Sequence, residues 1–339
     1  MRQQHSEIDF VITWVDGNDP VWQEEKQKYL SYECDEDTLA KQGDYRFRDW
    51  DLLRYWFRAV EKYAPWVRKI HFVTCGQIPE WLNVSHPKLK VVNHEDFIPA
   101  EFLPTFNANT IEVNFHRIKD LAEQFVYFND DMFLTREVKP EDFFKDKLPR
   151  DVFALDAICF KTGTVGYLNC NNLEIINDNF DKTQQFKKHF KKWLCPKYGL
   201  KLLYRTSVFC PWKWFPGFYY QHISANYLKS TYEIVWEAAG DILNETSKCK
   251  FRGKKQVNQW LFKYWQLAQG TFEPAYVNFG RCFHLNNNNI NAACYAIEHY
   301  QYSVICFNDT HLTTDFEEKK QLISTSFDKV LPKKSLYEV

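Results

Sequence analysis

Two adjacent carboxylates, Asp130 and Asp131, follow Asn129 at the end of the apolar run Phe125-Val126-Tyr127-Phe128. Val, Tyr and Phe favour a strand. The polar triplet therefore sits at a strand's carboxyl end, the edge where open α/β sheets meet their ligands. Its hard oxygen donors suit Mg²⁺ or Mn²⁺, and such an ion would neutralise a diphosphate. Asn and Asp are also the residues of Asx turns and helix caps. Taken alone, the triplet admits either reading.

Other polar groups repeat the arrangement. Asp16 and Asp19 follow the first apolar run, where they either hydrogen-bond a base or ribose or form the Asp-Gly turn. Asn308 and Asp309 close the run from Val304 to Phe307 and would complete a metal or phosphate site. His222 follows the aromatic Phe218-Tyr219-Tyr220. An unperturbed pKa near 6.5 suits a histidine to general-base work, and a core or capping histidine is the plainer alternative. Arg252 offers a planar fork for phosphate, or a surface salt bridge in the charged segment 248–255. Arg46 and Arg48 pose the same question, and Arg46 is read as a nucleotide or phosphate contact. Arg54, inside a helix, is read as structural. Glu112 and His116, four residues apart, are read as an ordinary helix pair. Neither GxGxxG nor Walker A occurs, and the chain has only 11 glycines, so phosphate must be held by side chains or metal.

These groups need elements to position them. Residues 9–15 read as a strand ending in the turn Asp16-Gly17-Asn18-Asp19-Pro20. Residues 50–63 carry apolar positions at helical spacing and stop before Pro65. Residues 69–74 and 88–92 read as strands, and 110–124 as a helix leading into the strand before Asp130. This order predicts an α/β fold with a mostly parallel sheet. Further on, 140–144 reads as a helix start, the asparagine-rich 169–179 as loop, and 225–243 and 255–267 as helices. The run from Asn286 to Asn291 reads as loop, and 304–307 as one more strand. No linker or repeat is visible. The expectation is one catalytic unit over 1–339, with an N-terminal α/β half (1–140) and a helical C-terminal half (141–339) that completes the site.

Composition narrows the class. Of the 339 residues 45% are hydrophobic and 18% aromatic, enough for a large core and too many for disorder. Most of the 12 tryptophans are expected in that core, with one or two free to stack on sugars. A formal charge of −1 gives no global field for nucleic acid. Lys187, Lys188, Lys191 and Lys192 make a local basic cluster, read as a solvated helix face. None of the ten cysteines forms a CxxC pair. They read as reduced, mostly core thiols, because Cys159 with Cys170 and Cys282 with His284 lack zinc-ligand spacing. The amino terminus has no signal h-region, and no stretch nears the roughly 18 apolar residues of a membrane helix. The expected location is cytoplasmic, which allows peripheral association at the inner face of the plasma membrane.

Four blocks, in order along nearly the whole chain, carry a specific resemblance. The first runs from Asp9 to Pro20 (DFVITWVDGNDP). The second includes Arg46-Phe47-Arg48-Asp49, Ala64-Pro65-Trp66-Val67-Arg68, Leu103-Pro104-Thr105-Phe106-Asn107 and Phe128-Asn129-Asp130-Asp131. The third runs from Gln221-His222 to Phe251-Arg252, and the fourth is Val304 to Asp309. The set resembles the Stealth family of sugar-phosphate transferases, which includes bacterial capsular polysaccharide polymerases and the lysosomal-enzyme GlcNAc-1-phosphotransferase. Eukaryotic members tend to have Asn where Trp50 stands, and can have Asn where Asp16 stands, so this chain looks like the bacterial version.

The resemblance implies transfer of a hexose- or N-acetylhexosamine-1-phosphate from a nucleotide sugar such as UDP-GlcNAc to a hydroxyl of a glycan or lipid-linked glycan. A phosphodiester forms and a nucleoside monophosphate leaves. It implies an α/β, Rossmann-like, GT-A-type core with helices on both faces of the mostly parallel sheet, dependence on Mg²⁺ or Mn²⁺, a place in capsular or surface-polysaccharide synthesis, and association with the assembly machinery. It also makes Asp130 and Asp131 the family's paired carboxylates, His222 its third-block histidine and Arg252 its arginine. Combined with the residue reading, Asp131, His222 and Arg252 are the catalytic candidates. Asp130, Asp131 and Asp309 are the metal candidates, and Asp16, Asp19, Arg46, Asn129 and Asn308 the substrate-binding ones. The alternatives are a conventional glycosyltransferase that releases a nucleoside diphosphate, and a catalytically dead glycan-binding protein.

Overall fold

The computed structural model describes residues 7–33, 49–159, 165–285, 289–309 and 315–339. The first half of the chain comprises β1 (Ile8–Thr13), α1 (Pro20–Glu33), α2 (Leu53–Tyr63), β2 (Ile70–Thr74), β3 (Leu89–Asn93), α3 (Ala108–Val113), β4 (Gln124–Phe128) and β5 (Met132–Leu134). There follow α4 (Pro140–Phe143), β6 (Phe144–Lys145), β7 (Leu148–Asp151), α5 (Gly166–Asn179), α6 (Lys182–Trp193) and α7 (Gly199–Phe209). The remainder is β8 (Ala225–Leu228), α8 (Lys229–Lys248), α9 (Trp260–Gln269), β9 (Glu273–Pro274), β10 (Gly280–His284), α10 (Ile290–Glu298), β11 (Val304–Asn308) and α11 (Phe316–Val330).

Largely apolar runs, buried on both faces at β1, β2 and β4, form the centre of a sheet in the order β3-β2-β1-β4-β8. The first four strands are parallel, and β8 joins antiparallel at the edge. This is the Rossmann-type, mostly parallel core expected from the sequence. Alternation along β1 sends Phe10 and Ile12 into one core and Val11 into the other. The first core packs α2, α10, α11 and a second sheet, β10-β11-β5, against the centre. The second packs residues of α5, α8 and α9.

Four expectations fail for identifiable reasons. The asparagine-rich 169–179 segment is helix, not loop. Leu168, Asn172 and Ile176 lie four apart and buried, and the amides bond outward: Asn171 to the carbonyls of Lys254 and Gln256, Asn172 to Asn258. Tertiary partners thus override a poor helix propensity. The helix expected over 110–124 stops at Val113. Asn114 turns its side chain back to the Thr110 carbonyl at 2.9 Å, and Asp120 has φ +64, which no right-handed helix contains. Residues 225–228 are strand, pairing Tyr127↔Ala225 through Gln124↔Leu228. The cysteines are mostly half-buried: of the nine described, all free, only Cys306 is buried and Cys159 is exposed. Arg54 is structural as read, stacked over Trp81 and paired with Asp51.

At the opposite edge of the sheet, Asp9 is fully buried at the start of β1. It accepts from Arg68 Nε, the Ala122 amide and the His71 ring at 2.8, 2.8 and 2.9 Å. Burial alone would raise its pKa, but the bonds from His71 and Arg68 outweigh it and hold the carboxyl below its ordinary 3.8. Asp9→Asn is expected to cost about 3–5 kcal/mol, the usual loss when one partner of a buried ion pair is removed. Because the folded pKa is depressed, the stability Asp9 contributes is present above pH 3.8 and lost as pH falls through the folded value. Urea titrations of parent and variant at pH 7 and pH 3 check both statements: the difference should be larger at the first than at the second.

Candidate active site

The carboxyl ends of β1, β2 and β4 lie side by side, since Ile12 pairs with Phe128 and Thr13 with Val73. Asp16, Gln77 and Asn129–Asp131 therefore gather at one edge. Gln77 Oε1 accepts from the Asp16 amide at 2.8 Å, and its Nε2 donates to Asp19 Oδ2 at 2.8 Å. Asp19 Oδ1 also accepts from the Val21 amide at 2.9 Å, capping α1, and Asp16 Oδ1 accepts from the Asn18 amide at 2.8 Å. Both aspartates are thus engaged in the turn. The Met132 amide donates to the Asn129 carbonyl at 3.1 Å, bending the chain out of the central sheet and into β5.

That bend delivers Asp131 to the second sheet. The Phe307 amide donates to its carbonyl at 2.8 Å, and β5 pairs antiparallel with β11. The Cys306 thiol then donates to Asp131 Oδ2 at 3.3 Å. From the other side His222 Nε2 stands 3.6 Å from the same oxygen, an ion-pair distance longer than a hydrogen bond. The Tyr220 hydroxyl lies 2.9 Å from His222 Nδ1 and fixes the ring. Gln221 anchors this loop by donating to the Gly280 carbonyl at 2.7 Å. The approach needs Gly280, because a Cβ there would meet the Val304 carbonyl at 2.9 Å.

Arg252 is brought in by the pairing of two distant segments. Asn107 Nδ2 donates to the Cys249 carbonyl and to Gln256 Oε1, Asn109 Nδ2 donates to Gln256 Oε1, and Phe106 stacks on Phe251. These contacts hold the loop that carries Arg252 against α3, which carries Glu112. Glu112 is buried and accepts from the Tyr127 hydroxyl at 3.3 Å. Burial raises its pKa, an effect the nearby positive charge of Arg252 opposes. His116 does not share this position. It lies in the turn after α3 beside the rings of Tyr232 and Trp236, and burial pushes its pKa down to about 3.

The acidic groups repel one another. Although the Asp130 side chain opens to solvent, crowding by protein atoms in the crevice, then Asp131 and Asp49, push its pKa up to about 7. Burial likewise raises the pKa of Asp49, with Asp51 and Asp16 adding to it. Burial would lower the His222 pKa, but the Asp131 carboxylate outweighs it and the net shift is upward. Asp131 Oδ1 is buried with no hydrogen-bond partner. A buried carboxylate oxygen without a hydrogen-bond partner, beside a second carboxyl whose pKa is raised, is a donor set that suits a hard divalent ion, so Asp130 and Asp131 fit one. Among the described residues, the ligand atoms that all lie within 4.8 Å of one another are those of Asp131, His222 and Cys306. Asp309 is not in that set; it accepts from Trp50 Nε1 at 3.3 Å.

Of the residues singled out from the sequence, Asp130, Asp131 and His222 converge, with Arg252 close enough to Glu112 to act on it electrostatically. Asn308 lies on the flank, where its Nδ2 is 3.1 Å from His284 Nδ1. Arg46 and Arg48, like Asn286–Asn288 of the asparagine run, lie outside the described residues. Tyr220, Cys306 and Glu112 were not expected in the site. Cys306 had a usable signal: it stands two residues before Asn308, so the two share a strand face.

Two family models match the chain. Stealth protein CR1, conserved region 1, matches residues 6–33, and Stealth protein CR2, conserved region 2, matches 46–151. A capsular polysaccharide phosphotransferase WcwK of Streptococcus pneumoniae is 42% identical over 333 residues, covering 98% of both chains. A receptor polysaccharide phosphotransferase WefC of Streptococcus gordonii is 40% identical over 335 residues, covering 98% of this chain and 99% of the other. Among solved structures, galactosyltransferase LgtC in complex with donor and acceptor sugar analogs aligns at TM-score 0.39 and 11% identity, over 94% of this chain and 95% of that one.

Proposed function

This chain belongs to the Stealth family, and from that premise we propose that it is a sugar-1-phosphate transferase of capsular or surface-polysaccharide synthesis. It takes a hexose- or N-acetylhexosamine-1-phosphate from a nucleotide sugar and joins it to a hydroxyl of an acceptor glycan. The observation that carries the reading is the convergence of His222 on Asp131 at a carboxylate-lined crevice, in a chain related over its whole length to proteins named phosphotransferases.

The chemistry needs an acceptor oxygen to attack phosphorus, a base for its proton, and charge held on the phosphoryl oxygens. With Nδ1–H donating to the Tyr220 oxygen, His222 Nε2 keeps a lone pair for the acceptor proton, and Asp131 stabilises the imidazolium that results. Arg252 binds phosphoryl oxygens through its fork. Asp16, Asp19, Asn129 and Asn308 would contact the donor, although Asp19 already serves as a helix cap, and Arg46, outside the described residues, is a further donor-contact candidate. Asp130 and Asp131 would hold Mg²⁺ or Mn²⁺, which would supply positive charge to the diphosphate. Both halves of the chain contribute, because β8 and the His222 loop complete a sheet begun by β1 to β4.

A conventional glycosyltransferase would use a similar crevice but break the sugar–phosphate bond. The released nucleotide separates the two. On incubation with a panel of nucleotide sugars and a glycan acceptor, the expected product is the nucleoside monophosphate, identified by chromatography. Release of the diphosphate would establish the glycosyltransferase reading. Release of neither nucleotide from any donor would support a glycan-binding protein without catalysis.

A further inference from the structure

The crevice leaves one surface of the molecule without a role. Helix α7 buries Leu202 and Thr206. On its other side Leu200, Tyr204 and Val208 are exposed at 88%, 72% and 49%. Their spacing of four places them in one stripe along the helix. Trp212 and Trp214, just beyond the helix, extend the exposed apolar surface at 55% and 53%. Single exposed apolar residues are ordinary, but a contiguous group of this size marks a contact surface.

The charge along this part of the chain is one-sided. From Lys182 to Tyr232 the chain holds ten Lys and Arg and no Asp or Glu, although its overall formal charge is −1. Four of these cations make internal hydrogen bonds or ion pairs, Lys197 among them by donating to the Pro274 carbonyl at 3.3 Å. Lys182 Nζ donates to the carbonyls of Cys210 and Trp212, tying the start of α6 to the segment after α7. Lys192 pairs with Glu273 and Arg205 with Asp156. Lys187, Lys188, Lys191, Lys201 and Lys213 are exposed. Lys213 lies 4.6 Å from the Trp214 ring, a pairing of cation and indole suited to a boundary between water and an apolar phase.

We propose that this face, α7 and the Trp212–Trp214 segment with the lysines of α6, docks on an anionic lipid bilayer. An apolar stripe carrying Leu and Trp and bordered by lysine is the pattern of a helix lying in the bilayer interface. Lysine is depleted where proteins bind proteins and enriched where they meet anionic headgroups. Long lysine stems let the apolar side chains enter the interface while the ammonium groups stay at the phosphates. The surface lies on the protein rather than through the membrane: among the described residues no helix is long and apolar enough to cross one. Trp214 precedes Tyr220, the partner of His222, by only six residues. The inference stands independently of the chemistry proposed for the crevice.

Flotation of the full chain tests it, with vesicles of phosphatidylcholine and with vesicles in which half of that lipid is replaced by phosphatidylglycerol. The parent should float with the anionic vesicles and not with the neutral ones, and its tryptophan emission should shift to the blue on binding. The triple variant Lys187→Gln, Lys188→Gln, Lys191→Gln should lower the bound fraction at limiting lipid by about 10-fold or more. Tyr204→Ser with Val208→Ser and Trp212→Ser should weaken binding comparably. If the serine variant melts at lower temperature, the lysine variant decides, since its three positions are all exposed. Failure to float with either vesicle, equal flotation with both, or undiminished binding by the lysine variant would overturn the proposal. So would a concentration-dependent dimer that the serine variant disperses in a protein that ignores vesicles.

Discussion

Alanine in place of His222 is expected to lower turnover by roughly 10²–10⁴-fold, the range lost with a general acid–base catalyst. Nucleotide-sugar binding should change little, because the acceptor and not the donor meets the base. The pH profile gives a second readout. Asp131 outweighs burial and raises the His222 pKa above 6.5, so the deprotonated base accumulates only as pH rises through that higher value. The rate of the parent should climb across it, and the alanine variant should lose that limb. If the variant instead melted far lower while its folded fraction kept full activity, His222 would be a core residue. The base would then be sought at Asp131 or Asp309, because His116 faces the rings of Tyr232 and Trp236.

Removal of the divalent ion is expected to have an effect of similar or greater size. Excess EDTA should bring turnover below roughly one-thousandth, since charge neutralisation by a bound ion supplies several kcal/mol and each ~1.4 kcal/mol is a factor of ten. Mg²⁺ or Mn²⁺ should restore the parent, and neither should restore Asp130→Ala or Asp131→Ala. Both variants should stay folded, because removing either relieves the mutual repulsion that adds to burial in pushing the Asp130 pKa up to about 7. Restoration by Zn²⁺ alone would place the ion at Asp131, His222 and Cys306 instead. Full activity of the metal-free protein in EDTA would sink the metal role altogether.

The sequence by itself determined five strands, β1 to β4 and β11, and their polar ends. The runs at residues 9–15, 69–74, 88–92 and 304–307 appear within about two residues of β1, β2, β3 and β11. Strands buried on both faces must be continuously apolar, and an interruption by Asp, Asn or Gln therefore marks where each one ends. The four blocks identified the family for a related reason, since they contain Asp130, Asp131, His222 and Arg252, groups that local packing alone would not require.

Only the tertiary structure decided the rest. α5 is a helix because its asparagines bond to residues more than 35 positions away, partners that no local propensity records. β8 is a strand because β4 leaves an edge beside it, and Gln266 closes its outer side by donating to the Asn226 carbonyl and accepting from the Leu228 amide. Cys306 reaches Asp131 because the bend at Asn129 hands the chain from one sheet to another. The site is thus assembled by contacts between segments from 59 to 175 residues apart. Residue types announce which groups can do chemistry, and the crossing of two sheets selects which of them meet.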